Sequence, residues 1–386
     1  MKEKHLSKLT QTRDINLDFI RVLSMIFVIA VHVEPKPLAG NILFTSILYT
    51  ILFTCNTNFY LLSGQLHLRR NFSTPSDYIT YYVQKMITIL FPYITITFIL
   101  SIWSKISDGN AITLKSFATE TYKALMSGNA SGHLWFMYPL IGLLLSAPFF
   151  SKLFQKMTDW ELNLLFILAL FWNTVSIYFT KNFNVGFSYS GWLLSSWSIY
   201  FFAGYYCSRI IDTDTNNEKK LYLFGIIGFI VTILGKVFLP NNYNYSNDLA
   251  VAFVVFAMAT YTFLKKHIHI KNTLIQNIIF FVAKHSFTVY MLHYHVVKKI
   301  VPKIITTTST TLRFFETIIA TLLISLILAI ILDKCFINPI QKILKKLFEK
   351  SVLRNNATHF FIPISYLYTQ SAIHPQVFLP VLYILL

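Results

Sequence analysis

The chain is 386 residues long, 55% of them hydrophobic and only 13% charged, with 33 Lys plus Arg against 16 Asp plus Glu for a formal net charge of +17. That usage, with a mean hydropathy of +0.55, excludes a soluble globular domain and predicts an all-α, polytopic transmembrane helix bundle. The positive charge does not imply nucleic acid, because the basic residues fall in short segments between apolar runs, where they set orientation in the bilayer. Cys55, Cys207 and Cys335 lie within or at the ends of predicted spans, without CxxC or Cys/His ligand spacing, so neither a disulfide framework nor a metal site is expected.

The first predicted element covers residues 15–33, within DINLDFIRVLSMIFVIAVHVEP. As a helix it is roughly 28 Å long, close to the ~30 Å hydrocarbon core of a bilayer. Its apolar run is too long, and too polar in the middle, for a cleaved signal peptide. Arg21 and His32 are 11 positions apart, which at ~100° per residue puts them on one face, roughly 16 Å apart along the axis. Asp18 falls on the same stripe. A charged group at membrane depth costs several kcal/mol unless it faces protein or water, so the stripe is a candidate functional site. A purely structural account also stands: Asp18 and Arg21 as a packing pair, and His32 as an interfacial residue.

Further apolar runs follow near residues 42–66, 86–104, 133–150, 162–180, 192–210, 221–239, 249–264, 284–302 and 314–333, making about ten spans. With the N-terminus inside, the inner segments hold 21 of the 33 Lys plus Arg and the outer segments 9. The asymmetry predicts N-in and C-in. The cluster Lys298, Lys299, Lys303 and Arg313 runs against it, and reads either as a basic rim for an anionic glycopolymer or as lysines snorkelling to headgroups. The segment 105–132 is expected to lie as an amphipathic lid over a cavity. The chain divides into a membrane domain over 1–350 and a tail over 351–386, whose Pro363, Pro375 and Pro380 break its apolar pattern into pieces too short to span.

Polar residues inside the spans mark chemistry. Ser131-Gly132-His133-Leu134-Trp135-Phe136 brings a second histidine to about the depth of His32. Ser286, Tyr290 and His293 recur at i, i+4 and i+7, the spacing of one helical face, while His295 points elsewhere and reads as structural. Asn56, Thr57, Asn58 and Ser63-Gly64 form a small polar patch that permits close helix packing and can line a pocket.

Five pieces in order, LDFIRVLSMIFVIAVH from Leu17, NFYLLSG from Asn58, HLWFMYPLIGLLLSAPFF from His133, YFFAGYY from Tyr200 and KHSFTVYMLHYHVV from Lys284, resemble the acyltransferase-3 family of integral membrane O-acyltransferases. The resemblance covers roughly residues 13–346. It implies an O-acetyltransferase of surface polysaccharide or lipid-linked sugar in the bacterial plasma membrane, with acetyl-CoA as donor from the cytoplasm. It further implies His32 as the essential catalytic histidine and Arg21 as its companion. An imidazole suits the task, since deprotonating a sugar hydroxyl needs a base near neutral pKa. Arg21 is expected to hold the thioester carbonyl or a donor phosphate. Arg69, Arg70 and Lys85 are expected to meet the donor's phosphates; the family often has a denser basic run ahead of the third span, where only Lys85 stands here. His133, Ser286, Tyr290, His293, Asn58 and Ser63 are expected to line the cavity. Expected partners are membrane lipid, the sugar acceptor and polysaccharide-assembly proteins. The competing reading is a transporter or flippase of a glycan or lipid-linked intermediate.

Overall fold

The computed structural model describes residues 14–33, 41–107, 122, 132–182, 196–238 and 249–355, and every regular element among them is helical. Residues 1–13, residues 108–121 and 123–131 of the proposed lid, and residues 356–386 of the tail lie outside the described residues. Helix α1 (Ile15–His32) starts at Asp14, whose carboxylate accepts hydrogen bonds from the backbone N–H groups of Asn16 and Leu17, as an N-cap does.

The long apolar run after it is two helices, α2 (Ile42–Leu52) and α3 (Thr54–Leu68), separated at Phe53. Lys236 reaches this break: its ammonium donates to Thr50 Oγ1 at 3.1 Å and lies 5.4 Å from the centre of the Phe53 ring. Helix α4 (Pro75–Lys85) opens with a reciprocal Thr74–Asp77 capping box and passes through a π-helical stretch, Met86–Leu90, into α5 (Phe91–Ser107). It thus begins well before the predicted boundary at residue 86.

A short 3₁₀ segment, Leu134–Phe136, leads into α6 (Met137–Lys156), and α7 (Asp159–Asn182) follows. Next come α8 (Ser198–Tyr206) with its π-helical extension Cys207–Ile211, α9 (Thr215–Phe238) and α10 (Val251–His267). Helix α11 (Thr273–His295) is capped by Asn272, so it too begins well before the predicted span. Helix α12 (Thr310–Leu332) ends in a π-helical stretch, Asp333–Ile337.

Among the described residues, seven helical stretches, built on α1, α2 with α3, α4 with α5, α6, α7, α9 and α12, are long and apolar enough to cross a membrane. Large apolar side chains face outward on them, among them Phe171 on α7, Ile226 and Ile230 on α9, and Ile319, Leu323 and Ile327 on α12. This inside-out distribution suits a hydrocarbon solvent. The remaining predicted spans fall on α8, α10 and α11, of which α8 and α10 are shorter and α11 carries Lys284, His285, His293 and His295 in its apolar sequence.

Helix α1 packs against α3 and α11, and α3 against α8. The α3–α8 crossing requires glycine on both sides: a Cβ on Gly64 would sit 1.7 Å from the Phe201 carbonyl oxygen, and one on Gly204 1.9 Å from that of Leu61. The expected close-packing role of Gly64 is met there, and the YFFAGYY stretch supplies its counterpart. Helix α11 is tied to the end of α12 by buried polar groups: Asp333 accepts from His285 Nδ1 at 2.5 Å and from Thr288 Oγ1 at 2.6 Å.

Two compact units emerge, Met1–Asn338 and Pro339–Leu386. Helix α13 (Asn338–Asn355), with Lys342, Lys345, Lys346 and Lys350, supplies the described part of the second, and the boundary expected at residue 350 falls inside it.

Candidate active site

Two groups of polar side chains lie at opposite ends of α1. At its N-terminal end a cavity of about 680 Å³ is lined by Asp14, Leu17, Asp18 and Arg21, by Gln65, Leu66, Arg69 and Arg70 at the end of α3, and by Ala283 and Lys284 of α11. Asp18, only 3% exposed, is ion-paired with Arg21. The pair expected on packing grounds therefore forms, and Arg21 also lines the cavity. The floor is held by a network in which Gln65 Oε1 accepts from Tyr261 Oη at 2.7 Å and Lys265 Nζ at 3.3 Å, while Lys265 is itself paired with Asp212. Asn16 ties the start of α1 to α10 by donating to the Lys265 carbonyl at 2.8 Å.

At the C-terminal end of α1, His32 meets three other rings. Its centroid lies 6.4 Å from that of His133, 5.2 Å from His293 and 5.1 Å from Tyr294. Backbone carbonyls hold two of the imidazoles. His133 Nε2 donates to the Met291 carbonyl at 3.1 Å, and His293 Nδ1 to the Tyr290 carbonyl at 2.5 Å. A carbonyl can only accept, so each of those nitrogens carries the proton, and the lone pairs fall on His133 Nδ1 and His293 Nε2. Tyr290 Oη closes the arrangement by donating to the His133 carbonyl at 2.6 Å. His293 Nε2 is buried and has no hydrogen-bond partner among the described residues. His32 is half-buried and meets its neighbours by ring contact, with no hydrogen bond to either ring nitrogen among the described residues.

A buried lone pair with no donor, beside a half-open imidazole, is the environment an incoming hydroxyl would complete. A family model described as an acyltransferase domain matches residues 14–330, a stretch that takes in both groups. The chain belongs to the acyltransferase-3 family. No curated protein and no solved structure matches it. The match and the apolar helices together make it a membrane acyltransferase.

The remaining expected residues of this acyltransferase distribute as follows. Arg69 and Arg70 reach the basic cavity. Lys85 does not line it; its amine lies 3.2 Å from His67 Nε2 and 5.4 Å from the centre of the Tyr81 ring. Ser286 Oγ donates to the Ala283 carbonyl at 2.8 Å, so it is bound into its own helix beside a cavity-lining residue. Asn58 is buried on α3 with neither amide atom hydrogen-bonded among the described residues, and Ser63 lies half-buried on the same helix outside the cavity lining.

Three residues of the acyltransferase's two polar groups escaped the sequence reading. Tyr294 sits one position off the 286/290/293 face, and it meets His32 because α1 crosses the last turn of α11. Lys284 lines the basic cavity although it read as a span residue. His295, expected on a separate face, brings its ring within 6.3 Å of His133 and 5.8 Å of Trp103. Charge or ring character inside a span was the available signal for all three.

Proposed function

We propose that this acyltransferase transfers an acetyl group from cytoplasmic acetyl-CoA to a hydroxyl of a surface glycan or lipid-linked sugar, in a bacterial plasma membrane. It would do so through ten spans with both termini inside, which puts the basic cavity on the cytoplasmic side and the histidine group near the outer surface. The observation that carries the reading is the pairing, along one helix, of a cationic cavity at Arg21 with a cluster of imidazoles around His32.

In this reading His32 takes the proton from the acceptor hydroxyl as its oxygen attacks the thioester carbonyl carbon. The new C–O bond forms, the C–S bond breaks, and the departing thiolate recovers the proton from the imidazolium, leaving an acetyl ester and free CoA. His293 Nε2 accepts a hydrogen bond from the sugar and fixes its approach, and the His133–Tyr290 pair holds both rings in place. Tyr294 Oη, which has no hydrogen-bond partner among the described residues, is the nearby donor for the developing oxyanion.

The spacing along α1 bears on Arg21. The backbone positions of Arg21 and His32 lie roughly 16 Å apart along the axis, and Asp18, further still from His32, holds the guanidinium, so Arg21, with Arg69, Arg70 and Lys284, is assigned the donor's phosphates. Between the two ends Ser24, Met25 and Val28 of α1 are buried. In this reading the acyl arm passes along α1, α3 and α11, where Ser24 Oγ and the Asn58 amide are buried and without hydrogen-bond partners among the described residues.

The test is acetyl transfer from labelled acetyl-CoA to an envelope glycan extract by the purified protein. His32→Ala is expected to abolish turnover while leaving acetyl-CoA binding intact. Equal glycan acetylation in cells carrying wild type and His32→Ala, read by mass spectrometry, would overturn the enzyme reading and leave translocation of the glycan as the better account.

A further inference from the structure

Beside the cavity at Arg21 lies a second one, of about 340 Å³, lined by Arg70, Asn71, Phe72 and Ser73 from the segment after α3 and by Lys152, Gln155 and Lys156 from the end of α6. Arg70 lines both cavities, so they share a wall. We infer that this second cavity is a phosphate subsite, in which Lys152 and Lys156 hold the 3′-phosphate of a coenzyme A donor whose diphosphate lies at Arg21, Arg69 and Lys284. The inference rests on the acetyl-CoA reading above and adds to it the part of the donor that is recognised.

The wall between the cavities is built from specific contacts. Ser151 Oγ donates to the Leu68 carbonyl at 3.0 Å and the Arg70 carbonyl at 2.5 Å, and Gln155 Nε2 donates to the same two carbonyls at 3.0 and 2.8 Å. These donors satisfy carbonyls at the end of α3 that would otherwise present partial negative charge to the cavity. Ser151 and Gln155 share one face of α6 at i, i+4, and the same spacing sets Lys152 and Lys156 on the adjoining face, beside Arg70. Phe72 anchors the loop, its ring 5.3 Å from both Tyr78 and Tyr81. The carboxylates nearest in sequence are engaged elsewhere: Asp159 pairs with Arg209 at 3.0 Å, and Asp77 accepts from the backbone N–H groups of Ser73 and Thr74 at 3.0 and 2.7 Å.

Charge balance supplies the second line of support. Some cations of this unit have carboxylate partners: Arg21 with Asp18, Lys265 with Asp212, Lys266 with Glu218, and Arg209 with Asp159 at 3.0 Å. Among the described residues Arg69, Arg70, Lys152 and Lys156 have none; the Arg70 guanidinium lies 5.7 Å from the centre of the Tyr81 ring. Four cations without carboxylates, in two adjoining cavities of unequal size, suit a ligand with two separated phosphate groups better than a single phosphate. A thioester on a carrier protein presents one phosphodiester and lacks the second group.

The experiment compares acetyl-CoA with 3′-dephospho-acetyl-CoA as donors for the purified full-length wild type and for Lys152→Gln/Lys156→Gln, in detergent with and without phosphatidylglycerol. Wild type is expected to show a KM for acetyl-CoA about tenfold lower than for the dephospho donor, and the double variant is expected to close that gap. Because the readout is the ratio of two donors within each protein, a general loss of folding does not imitate it. Equal KM values in wild type, or a gap that survives in the double variant, would overturn the subsite while leaving acetyl-CoA as donor. A gap that vanishes when phosphatidylglycerol is present would make the cavity a lipid headgroup site and overturn the inference as well. Failure of wild type to use either donor would instead overturn the acetyl-CoA reading on which it rests.

Discussion

Arg21→Lys separates the two roles open to this side chain. Asp18 is buried and paired with Arg21, so removing the cation altogether would take a charge partner from a buried carboxylate, at a cost of up to about 3–5 kcal/mol. Lysine keeps the charge near Asp18 but loses the planar fork that grips a phosphate through two parallel bonds. Loss of one hydrogen bond to a charged group is worth about 1.5–3 kcal/mol, and each 1.4 kcal/mol is about tenfold in affinity. The KM for acetyl-CoA should therefore rise about ten- to a hundredfold. Since Arg21 lies roughly 16 Å along the helix axis from His32 in backbone position and its side chain pairs with Asp18, kcat should stay within about threefold of wild type, the signature of lost uniform binding. The assay is steady-state acetyl transfer over a range of donor concentrations, with equilibrium donor binding measured alongside, because KM equals Kd only when chemistry is slow. A fall in kcat with KM unchanged would place Arg21 on the transition state and refute the phosphate assignment.

Other changes test other parts of the site. Tyr294→Phe removes a phenol whose ring lies 5.1 Å from that of His32; if it serves the oxyanion, kcat should fall about 10²–10³-fold with donor affinity preserved, as read by the same kinetics. Lys85→Gln should leave the donor KM within about twofold, since its amine faces His67 and Tyr81 rather than the basic cavity. Gly64→Ala forces a methyl to within 1.7 Å of the Phe201 carbonyl oxygen and should destabilise by about 1–3 kcal/mol or more, seen as a lower Tm in detergent. Gly204→Ala strains the same crossing, so the double variant should lose less than the two single losses added together.

Much of this arrangement could be read from residue spacing along α1. The Arg21–His32 interval put both side chains on one stripe, and the structure gives each a polar neighbourhood on that stripe. Periodicity within α11 found Tyr290 and His293 but missed Tyr294, because which face meets α1 depends on how two distant segments cross, and that is set by tertiary packing. Helix boundaries failed where apolarity was the guide. The Thr74–Asp77 capping box and the Asn272 cap mark helix starts that the hydropathy runs begin too late to include. The break at Phe53 has no glycine or proline to announce it; Lys236, from a helix more than 180 positions away, meets it through Thr50. Arg69, Arg70 and Lys85 looked alike as basic residues near a membrane boundary, and only the fold separates the two arginines in the cavity from the lysine turned to His67.

The length of α1 constrains the donor as well as the protein. A small activated acyl compound, such as an acyl phosphate, carries its anionic group within a bond or two of the reacting carbon. Bound at Arg21 it would leave that carbon roughly three helical turns short of His32; bound at His32 it would forgo the cationic cavity. A donor that uses both ends needs a long, thin linker between phosphate and thioester, as pantetheine provides. The buried groups along α1, α3 and α11 fit such a linker chemically. Ser24 Oγ and both atoms of the Asn58 amide lack hydrogen-bond partners among the described residues, and a dry orphan of this kind costs about 1–3 kcal/mol. An amide-bearing arm supplies donors and acceptors at that depth, whereas an alkyl chain would not. The same groups make Asn58 the place where arm passage can be blocked without touching either end. Asn58→Leu removes the amide and keeps the number of side-chain heavy atoms, so equilibrium acetyl-CoA binding at Arg21 should survive while acetyl transfer falls; unchanged transfer would refute passage of the arm at Asn58.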